Sequence, residues 1–420
     1  MDVSCELEQV LHPREGGPVV LGVKCLHGDE KPREKPSLSI AAALDRSASM
    51  RGQKLEDMKV AARGLIHRLG PRDRLVLVAF DEGAEVLAAG PVVDRDDFLA
   101  EVDRIECLSG TNIQLALETA GRYLRADPEA RSVKRLLLLT DGEASKGDTS
   151  ADGLARIAAA HASFEIVTTC LGFGLDYDEL VLDQIATAGA GRLHHVDAPG
   201  KLSEIYGAEL DRMRALVAPW ISVTVIPSEE ARVHGSRNTY PMKRKGRGFE
   251  LEISDLSQDE ARWVLFDLHV PPARATDEAP LATVIVQWKD TRGELHEKRQ
   301  EIVARYGDDE NVKKAEKNGA VLEQIALLDV AAAKARALAD SARGDIEEGS
   351  VRLQNTLVRI AGSTSFRSNK LESELDKLGT LKAMMERNEI DEGTRKRVQV
   401  EIHEGRAPTF RIDLGDAPPV

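Results

Sequence analysis

Three segments of the sequence carry side chains that offer a ligand oxygen atoms alone. Asp45, Ser47 and Ser49 form the pattern D-x-S-x-S, and Thr111 and Asp141 lie further along the chain. Carboxylate and hydroxyl oxygens, without imidazole or thiolate, favour Mg²⁺ or Mn²⁺, with Ca²⁺ as a further option, over zinc or copper. The sequence therefore predicts a divalent-cation site with these five residues as ligands and Mg²⁺ as the cofactor.

Three neighbours of these residues are candidates for supporting roles. Asn112 and Glu143 adjoin ligand positions and are candidates for orienting water or hydroxyl groups around the ion. The alternative for both is an exposed polar residue in a loop. Arg46, between Asp45 and Ser47, is a candidate for pairing with a carboxylate of a binding partner.

Two alternatives to a metal site stay open at this point. Aspartate, serine and threonine that follow strands are also ordinary helix caps, so the same residues would appear in a chain that binds no ion. A fold that keeps all five side chains without binding metal is the second alternative.

The predicted elements place the five side chains at one edge of a sheet. Asp45 directly follows a predicted strand over 37–44, and Asp141 follows the leucine-rich strand at 135–140. The Gly-Thr-Asn segment at 110–112 opens a predicted helix. In open parallel sheets, the ligand crevice lies outside the carboxyl ends of the strands, so these segments are expected to converge there.

The surrounding sequence predicts the sheet itself. Between residues 36 and 217, short apolar runs alternate with stretches of helical periodicity, which indicates an α/β fold with a doubly wound, mostly parallel sheet. Residues 218–306 alternate with period two and predict an antiparallel, sandwich-like β domain. The first 35 residues hold strand candidates and are expected to pack with that β domain.

The C-terminal part predicts helices and then a strand-forming tail. Residues 307–388 carry leucine stripes typical of a helical bundle. Residues 389–420 form a tail with two strand candidates, at 398–402 and 410–414. Either candidate would add to the sheet of its own chain or to that of another copy, so a homo-oligomer through the tail is one hypothesis. Asp413 and Asp416 would then be placed to reach a neighbour's metal site.

Composition limits the partners and the compartment. With 420 residues and a prior of about 150 per domain, the chain is expected to form two or three folded units. Its net charge of −14 argues against nucleic acid as the main partner. No basic-then-apolar leader or long apolar span is visible in the sequence, so we expect no membrane insertion. Four cysteines without a C-x-x-C pair suggest reduced thiols, and together these features predict a cytoplasmic protein.

The D-x-S-x-S pattern followed by a distant threonine and a distant aspartate resembles the von Willebrand factor type A (VWA) domain and its metal-ion-dependent adhesion site (MIDAS). The resemblance covers residues 36–217. It implies that Ser47, Ser49 and Thr111 bind the ion directly or nearly so, and that Asp45 and Asp141 bind it partly through water. The flanking segments resemble, more loosely, cytosolic bacterial proteins in which such a domain is embedded.

The resemblance implies a binding function in which an aspartate or glutamate of a partner protein completes the ion's coordination. The expected role is therefore non-enzymatic: a metal-dependent adhesion, scaffold or regulatory module. Two alternatives belong to other classes, a Mg²⁺-dependent hydrolase that uses the same ligands and a self-assembling structural protein. No phosphate-binding loop, G-x-S-x-G or H-E-x-x-H motif is present in the sequence to favour the enzyme.

Overall fold

A computed structural model describes most of the chain. The described residues are 1–27, 35–129, 132–198, 200–240, 242–253, 255–258, 260–274, 277–363, 368–406 and 409–411. Two compact units result: one comprises Lys31–Pro219 with Asp290–Glu294, and the other comprises Met1–Glu30, Trp220–Lys289 and Leu295–Val420.

The strands are numbered in chain order. They are β1 (Asp2–Leu7), β2 (Leu11–Pro13), β3 (Gly17–Leu26), β4 (Leu38–Asp45), β5 (Arg74–Phe80), β6 (Ala84–Pro91), β7 (Val133–Thr140), β8 (Ile166–Phe173), β9 (Ala190–Val196), β10 (Leu216–Ala218), β11 (Trp220–Pro227), β12 (Arg232–Ser236), β13 (Met242–Lys245), β14 (Gly248–Ile253), β15 (Leu256–Ser257), β16 (Glu260–Val270), β17 (Glu278–Lys289), β18 (Leu295–Gly307) and β19 (Thr409–Arg411).

The helices are numbered in the same way, and one short 3₁₀ helix spans Ala48–Met50. The α-helices are α1 (Gln53–Arg68), α2 (Arg95–Asp103), α3 (Ile113–Arg125), α4 (Ala151–Ala162), α5 (Glu179–Ala188), α6 (Lys201–Arg214), α7 (Asp309–Lys314), α8 (Gly319–Arg343), α9 (Ile346–Ser363), α10 (Asn369–Glu386) and α11 (Glu392–Arg406). Within the described residues, none of these helices combines the length and apolar character needed to cross a bilayer.

The unit at Lys31–Pro219 is built on a six-stranded sheet in the order β6-β5-β4-β7-β8-β9. Five strands run parallel, and β6 is an antiparallel edge strand. Side chains of β4 form a core with α1, α2 and α6, while α3, α4 and α5 contact one another and the strands. All eight residues of β4 are buried, as expected for a strand covered on both faces. The predicted doubly wound α/β fold is confirmed.

The other unit contains two further sheets. One has the order β1-β3-β16-β12, and the second has the order β13-β14-β11-β17-β18-β2. β3 pairs with β16 over ten residue pairs, with Val23 opposite Val264. All of these pairings are antiparallel except that of β2 with β18. Since β1–β3 precede the α/β unit and β11–β18 follow it, the α/β unit is an insertion in this β unit.

Helices α8–α11 share an apolar core. It is formed by residues such as Leu353 of α9, Leu378 of α10 and Ile402 of α11, each almost fully buried. One charged side chain is buried here as well: Lys334 of α8 is 1% exposed, and its Nζ pairs with Glu374 of α10 and Glu401 of α11. This ion network joins three of the four helices.

The predicted strand at 398–402 is wrong, because these residues belong to α11. Thr394, Val398 and Ile402 are buried at a spacing of four, which is the period of a helix face. The apparent alternation covered five residues, too few to separate a period of two from one of 3.6. The helical region therefore continues past its predicted end at residue 388, as far as Arg406.

The second strand candidate of the tail is described in part. Thr409–Arg411 forms β19 and pairs antiparallel with residues 260–262 of β16 in the same chain. The rest of that candidate, together with Asp413 and Asp416, lies outside the described residues. The described part of the tail thus adds to the sheet of its own chain.

Candidate functional site

The predicted ligands lie at the carboxyl edge of the parallel sheet, around two neighbouring strands. β4 ends at Asp45 and β7 ends at Thr140, and the two strands pair in parallel up to Leu44 and Leu139. Asp45 and Thr140 therefore end their strands at the same level, and Asp141 follows Thr140 directly. The Thr140 hydroxyl donates a hydrogen bond of 2.6 Å to Asp45 Oδ2, which joins the two strand ends directly.

Asp45 is a fully buried carboxylate. Its Oδ1 accepts a hydrogen bond of 2.8 Å from the backbone N–H of Ser47, so each carboxylate oxygen has at least one donor. Burial raises the pKa of Asp45 to about 6; the hydrogen bonds from Thr140 and Ser47 oppose this rise, and the charge of Asp141 adds to it. A buried carboxylate that is costly to ionise gains from a nearby cation.

The two serine hydroxyls link Asp45's loop to Asp141. Ser47 Oγ lies 2.9 Å from Ser49 Oγ, and Ser49 Oγ donates to Asp141 Oδ1 at 2.7 Å. Asp141 is fully buried, whereas Ser49 is exposed. The chain of oxygens therefore runs from the interior to the surface.

Thr111 reaches the same place from the loop before α3. Its side chain is buried, and a Cβ added to Gly142 would lie 3.6 Å from Ser49 Oγ and 4.0 Å from Thr111 Oγ1. The loop is fixed by two hydrogen bonds, from Thr111 N–H to Ser145 Oγ at 3.0 Å and from Ser145 N–H to Thr111 O at 2.9 Å. The fold thus brings all five predicted ligands together.

Helix capping does not account for these side chains. Ser47 precedes the 3₁₀ helix at Ala48–Met50 without a side-chain capping bond, and α1 is preceded by Gly52. The helix after Asp141 is α4, which is capped by Ser150. Thr111 is not the cap of α3 either, since the Oδ1 of its neighbour Asn112 accepts the backbone N–H of Leu115 and caps that helix.

The structure shows what the three neighbours contact within the chain. Asn112 is buried, and besides capping α3 it donates a hydrogen bond from Nδ2 to Glu82 O at 3.1 Å, so its side chain joins two loops. Glu143 is exposed, as the alternative prediction had it. Arg46 pairs inside the chain, with Asp81 at 2.6 Å and with Glu85 at 3.0 Å.

Lys54 is a member of the site that the sequence pattern did not predict. It lies in the first turn of α1, and its Nζ is 2.5 Å from Asp141 Oδ2 and 3.3 Å from Asp176 Oδ2. Partial burial lowers the pKa of Lys54, but the hydrogen bond and charge of Asp141 raise it by more, so it stays above its ordinary value. The sequence carried one sign of this role, because a lysine stands in the first turn of a predicted helix, where acidic residues are favoured.

Comparison with known families places a model of the von Willebrand factor type A domain on residues 40–143. This range contains Asp45, Ser47, Ser49, Thr111 and Asp141 together with the two strand ends that position them.

Comparison with known proteins finds relatives that match parts of the chain. An uncharacterized protein of Synechocystis sp. is 28% identical over 253 residues, which is 58% of this chain and 59% of that protein. Inter-alpha-trypsin inhibitor heavy chain H4 of Sus scrofa is 29% identical over 194 residues, 43% of this chain and 21% of the relative. The chain thus spans less than two thirds of the length of these relatives.

Two solved structures share the fold along nearly the whole chain. The von Willebrand factor type A protein from Catenulispora acidiphila superimposes with a TM-score of 0.76 at 19% identity, covering 98% of this chain and 97% of that one. The ArnB paralog VWA2 from Sulfolobus acidocaldarius gives a TM-score of 0.65 at 17% identity, covering 97% and 98%. At these identities the similarity establishes the fold.

Proposed function

For this chain, which carries a von Willebrand factor type A domain, we propose a non-enzymatic role in divalent-metal-dependent protein–protein interaction. A Mg²⁺ ion held by Asp45, Ser47, Ser49, Thr111 and Asp141 would capture an aspartate or glutamate of a partner protein. The observation that carries this proposal is the continuous set of oxygens from buried Asp141 through Ser49 to the surface.

The donor set fits a hard divalent cation. Two carboxylates and three hydroxyls supply oxygen alone, which suits Mg²⁺ or Mn²⁺ and also admits Ca²⁺. Burial, with a smaller contribution from the charge of Asp141, raises the pKa of Asp45, and a cation between the two carboxylates would relieve the cost of ionising them. Asp45 and Asp141 would hold the ion's charge, while the serine and threonine hydroxyls would bind it without adding negative charge.

The position of the site suits capture of a partner's side chain. A bound ion would supply electrostatic attraction for a carboxylate of the partner. The hydrogen bonds of Asp45 fix the conformation of the D-x-S-x-S loop at its buried end. The exposed Ser49 therefore belongs to an ordered loop. A preorganised site loses less conformational entropy when the partner docks.

Cytoplasmic location, as in the cytosolic bacterial proteins that the sequence resembles, is part of the proposal. All four cysteines are free thiols, and Cys25 and Cys170 are buried. Burial raises the pKa of both Cys5 and Cys25 to about 12, which keeps these thiols protonated and unreactive. Thiols that stay reduced are typical of the cytoplasm.

Partner capture is expected to require both the ion and Asp45. We would incubate the immobilised full chain and its Asp45→Ala variant with cell lysate, each in Mg²⁺ and in EDTA, and identify the bound proteins by mass spectrometry. Wild-type protein in Mg²⁺ should retain at least one protein that is reduced about tenfold or more in the other three conditions. Titration calorimetry of the same two proteins in solution with Mg²⁺ and Mn²⁺ should show a heat of metal binding for wild type alone.

The Asp57→Asn variant is the matched control, because Asp57 is a carboxylate of α1 that bonds Gln53 away from the ligands. It should behave as wild type. Identical bound proteins in all four conditions would overturn the adhesion proposal. Hydrolysis of phosphoester or amide substrates that depends on Mg²⁺ would favour the hydrolase, and Mg²⁺-independent growth of particle size with concentration would favour self-assembly.

A further inference from the structure

Lys54 places a positive charge at the carboxylate that the proposed ion would need. Asp141 is fully buried, and both of its oxygens are engaged: Oδ1 by the Ser49 hydroxyl and Oδ2 by Lys54 Nζ at 2.5 Å. An ammonium group and a divalent cation repel each other strongly at such short range. A cation therefore cannot reach Asp141 Oδ2 while the ammonium of Lys54 remains there.

A second carboxylate offers the ammonium another position. Asp176, in the loop between β8 and α5, lies 3.3 Å from Lys54 Nζ, and its side chain is 72% exposed. Asp176 is thus already within reach, and no ligand of the proposed ion bonds to it among the described contacts. The Lys54 side chain is 27% exposed, so part of it is free to move into solvent.

The backbone beneath Lys54 leaves room for this movement. Gly174 has a φ of +77°, in the region that favours glycine, and a Cβ added there would lie 3.5 Å from both Cε and Nζ of Lys54. The end of the lysine side chain therefore lies over a glycine backbone between Asp141 and Asp176. No side chain of Gly174 stands in its way.

From this arrangement we propose that Lys54 is an internal competitor of the metal. In the metal-free protein its ammonium neutralises Asp141, and on metal binding it transfers to Asp176, two residues beyond Gly174. The position of Lys54 thereby sets the metal affinity, and it makes the exposed Asp176 a positioning residue. This inference rests on the proposed metal site and adds a mechanism by which the chain regulates its own affinity for the metal.

Calorimetric titration of the full chain with MnCl₂ and MgCl₂ tests the proposal. Lys54→Met, which keeps the length of the side chain without its charge, should lower the metal Kd about tenfold. Asp176→Asn should raise the Kd about threefold, because the displaced ammonium loses its second partner. In the double variant, the effect of Asp176→Asn should disappear, since the lysine through which it acts is gone.

Lys146→Met is the control for loss of one positive charge near the site. Lys146 lies in the loop after Asp141 and pairs with Glu82, which lies in the turn between β5 and β6. The Kd of this variant should change about twofold or less. Metal binding by wild type with an unchanged or higher Kd in Lys54→Met would overturn the role of Lys54 and leave the metal site standing. Absence of binding in wild type and in Lys54→Met would overturn the metal site itself and, with it, this inference.

Discussion

Asp45→Asn is expected to stabilise the metal-free protein while it abolishes metal binding. Raising the pKa of this carboxyl from 3.8 to about 6 costs the folded state about 3 kcal/mol at neutral pH. Asparagine removes that cost and keeps both hydrogen bonds, since its Oδ1 can accept from Ser47 N–H and its Nδ2 can donate to the Thr140 hydroxyl. We expect a gain of about 1–2 kcal/mol in the free energy of unfolding, measured by urea denaturation in EDTA.

The pH dependence gives the sign of this effect. Below the unfolded pKa, Asp45 is protonated in both states and the asparagine variant has no advantage. Above the folded pKa of about 6, wild type carries the full cost, so the advantage should grow as pH rises from about 4 to about 7. Saturating Mg²⁺ should reverse the order: at about 100 times its Kd it adds about 2.7 kcal/mol to wild type and nothing to the variant.

Asp73→Asn is the matched control at the opposite edge of the same sheet. Asp73 is also buried, but it accepts from Leu38 N–H and Gly70 N–H and pairs with Arg214 at 3.2 Å. Its substitution should therefore destabilise the protein by about 1–2 kcal/mol in EDTA. If Asp45→Asn destabilised the metal-free protein as Asp73→Asn does, the ionised Asp45 would be stabilising, and the argument from its burial would be wrong.

The second large effect is expected in the helical bundle. Lys334→Met removes the buried cation between Glu374 and Glu401 and leaves two carboxylates facing each other, which are 21% and 28% exposed. Removing the cation of a buried ion network leaves its carboxylates without a counter-charge. We therefore expect the free energy of unfolding to fall by about 3 kcal/mol. Urea unfolding measures the loss, and hydrogen exchange of the α8 and α10 amides assigns it to the bundle.

Lys377 provides the control because it bonds the other oxygen of Glu374, at 2.7 Å, from a side chain that is 45% exposed. Lys377→Met should cost about 1 kcal/mol or less. Adding Glu374→Gln and Glu401→Gln to Lys334→Met should recover at least about half of the loss. If Lys334→Met were as stable as wild type, solvent alone would be screening the repulsion between the two glutamates, and the predicted role of Lys334 would be wrong.

The five ligand positions of the candidate site could be predicted because each follows a recognisable strand or opens a predicted helix. Asp45, Ser47 and Ser49 are three residues of one loop, and the strand preceding Asp141 was recognisable from its four leucines. Since parallel strands end at a common edge, their convergence followed from the fold class. The five positions were therefore accessible without knowledge of any side-chain contact.

The partners of these residues could not be predicted, because they depend on side-chain placement in three dimensions. Lys54 is separated from Asp141 by 87 positions, and a lysine on an exposed helix start has many directions open to it. Asn112 resembled a ligand neighbour because caps and metal ligands use the same residue types. The two carboxylates that pair with Arg46, those of Asp81 and Glu85, lie on either side of a turn. The sequence pattern did not specify the geometry of that turn, so these ion pairs could not be predicted.

The insertion of the α/β unit has a consequence for synthesis on the ribosome. One edge of β3 can pair with β1 at once, but the other edge has no partner until β16 has been made, about 240 residues later, which at about 10 residues per second is a delay of roughly 24 s. Every strand of the inserted sheet emerges before then, so the nascent chain can complete that sheet while β3 still has an open edge. An open strand edge is prone to pairing with other chains. Translation pauses before residue 260 would therefore favour aggregation more than pauses after residue 270.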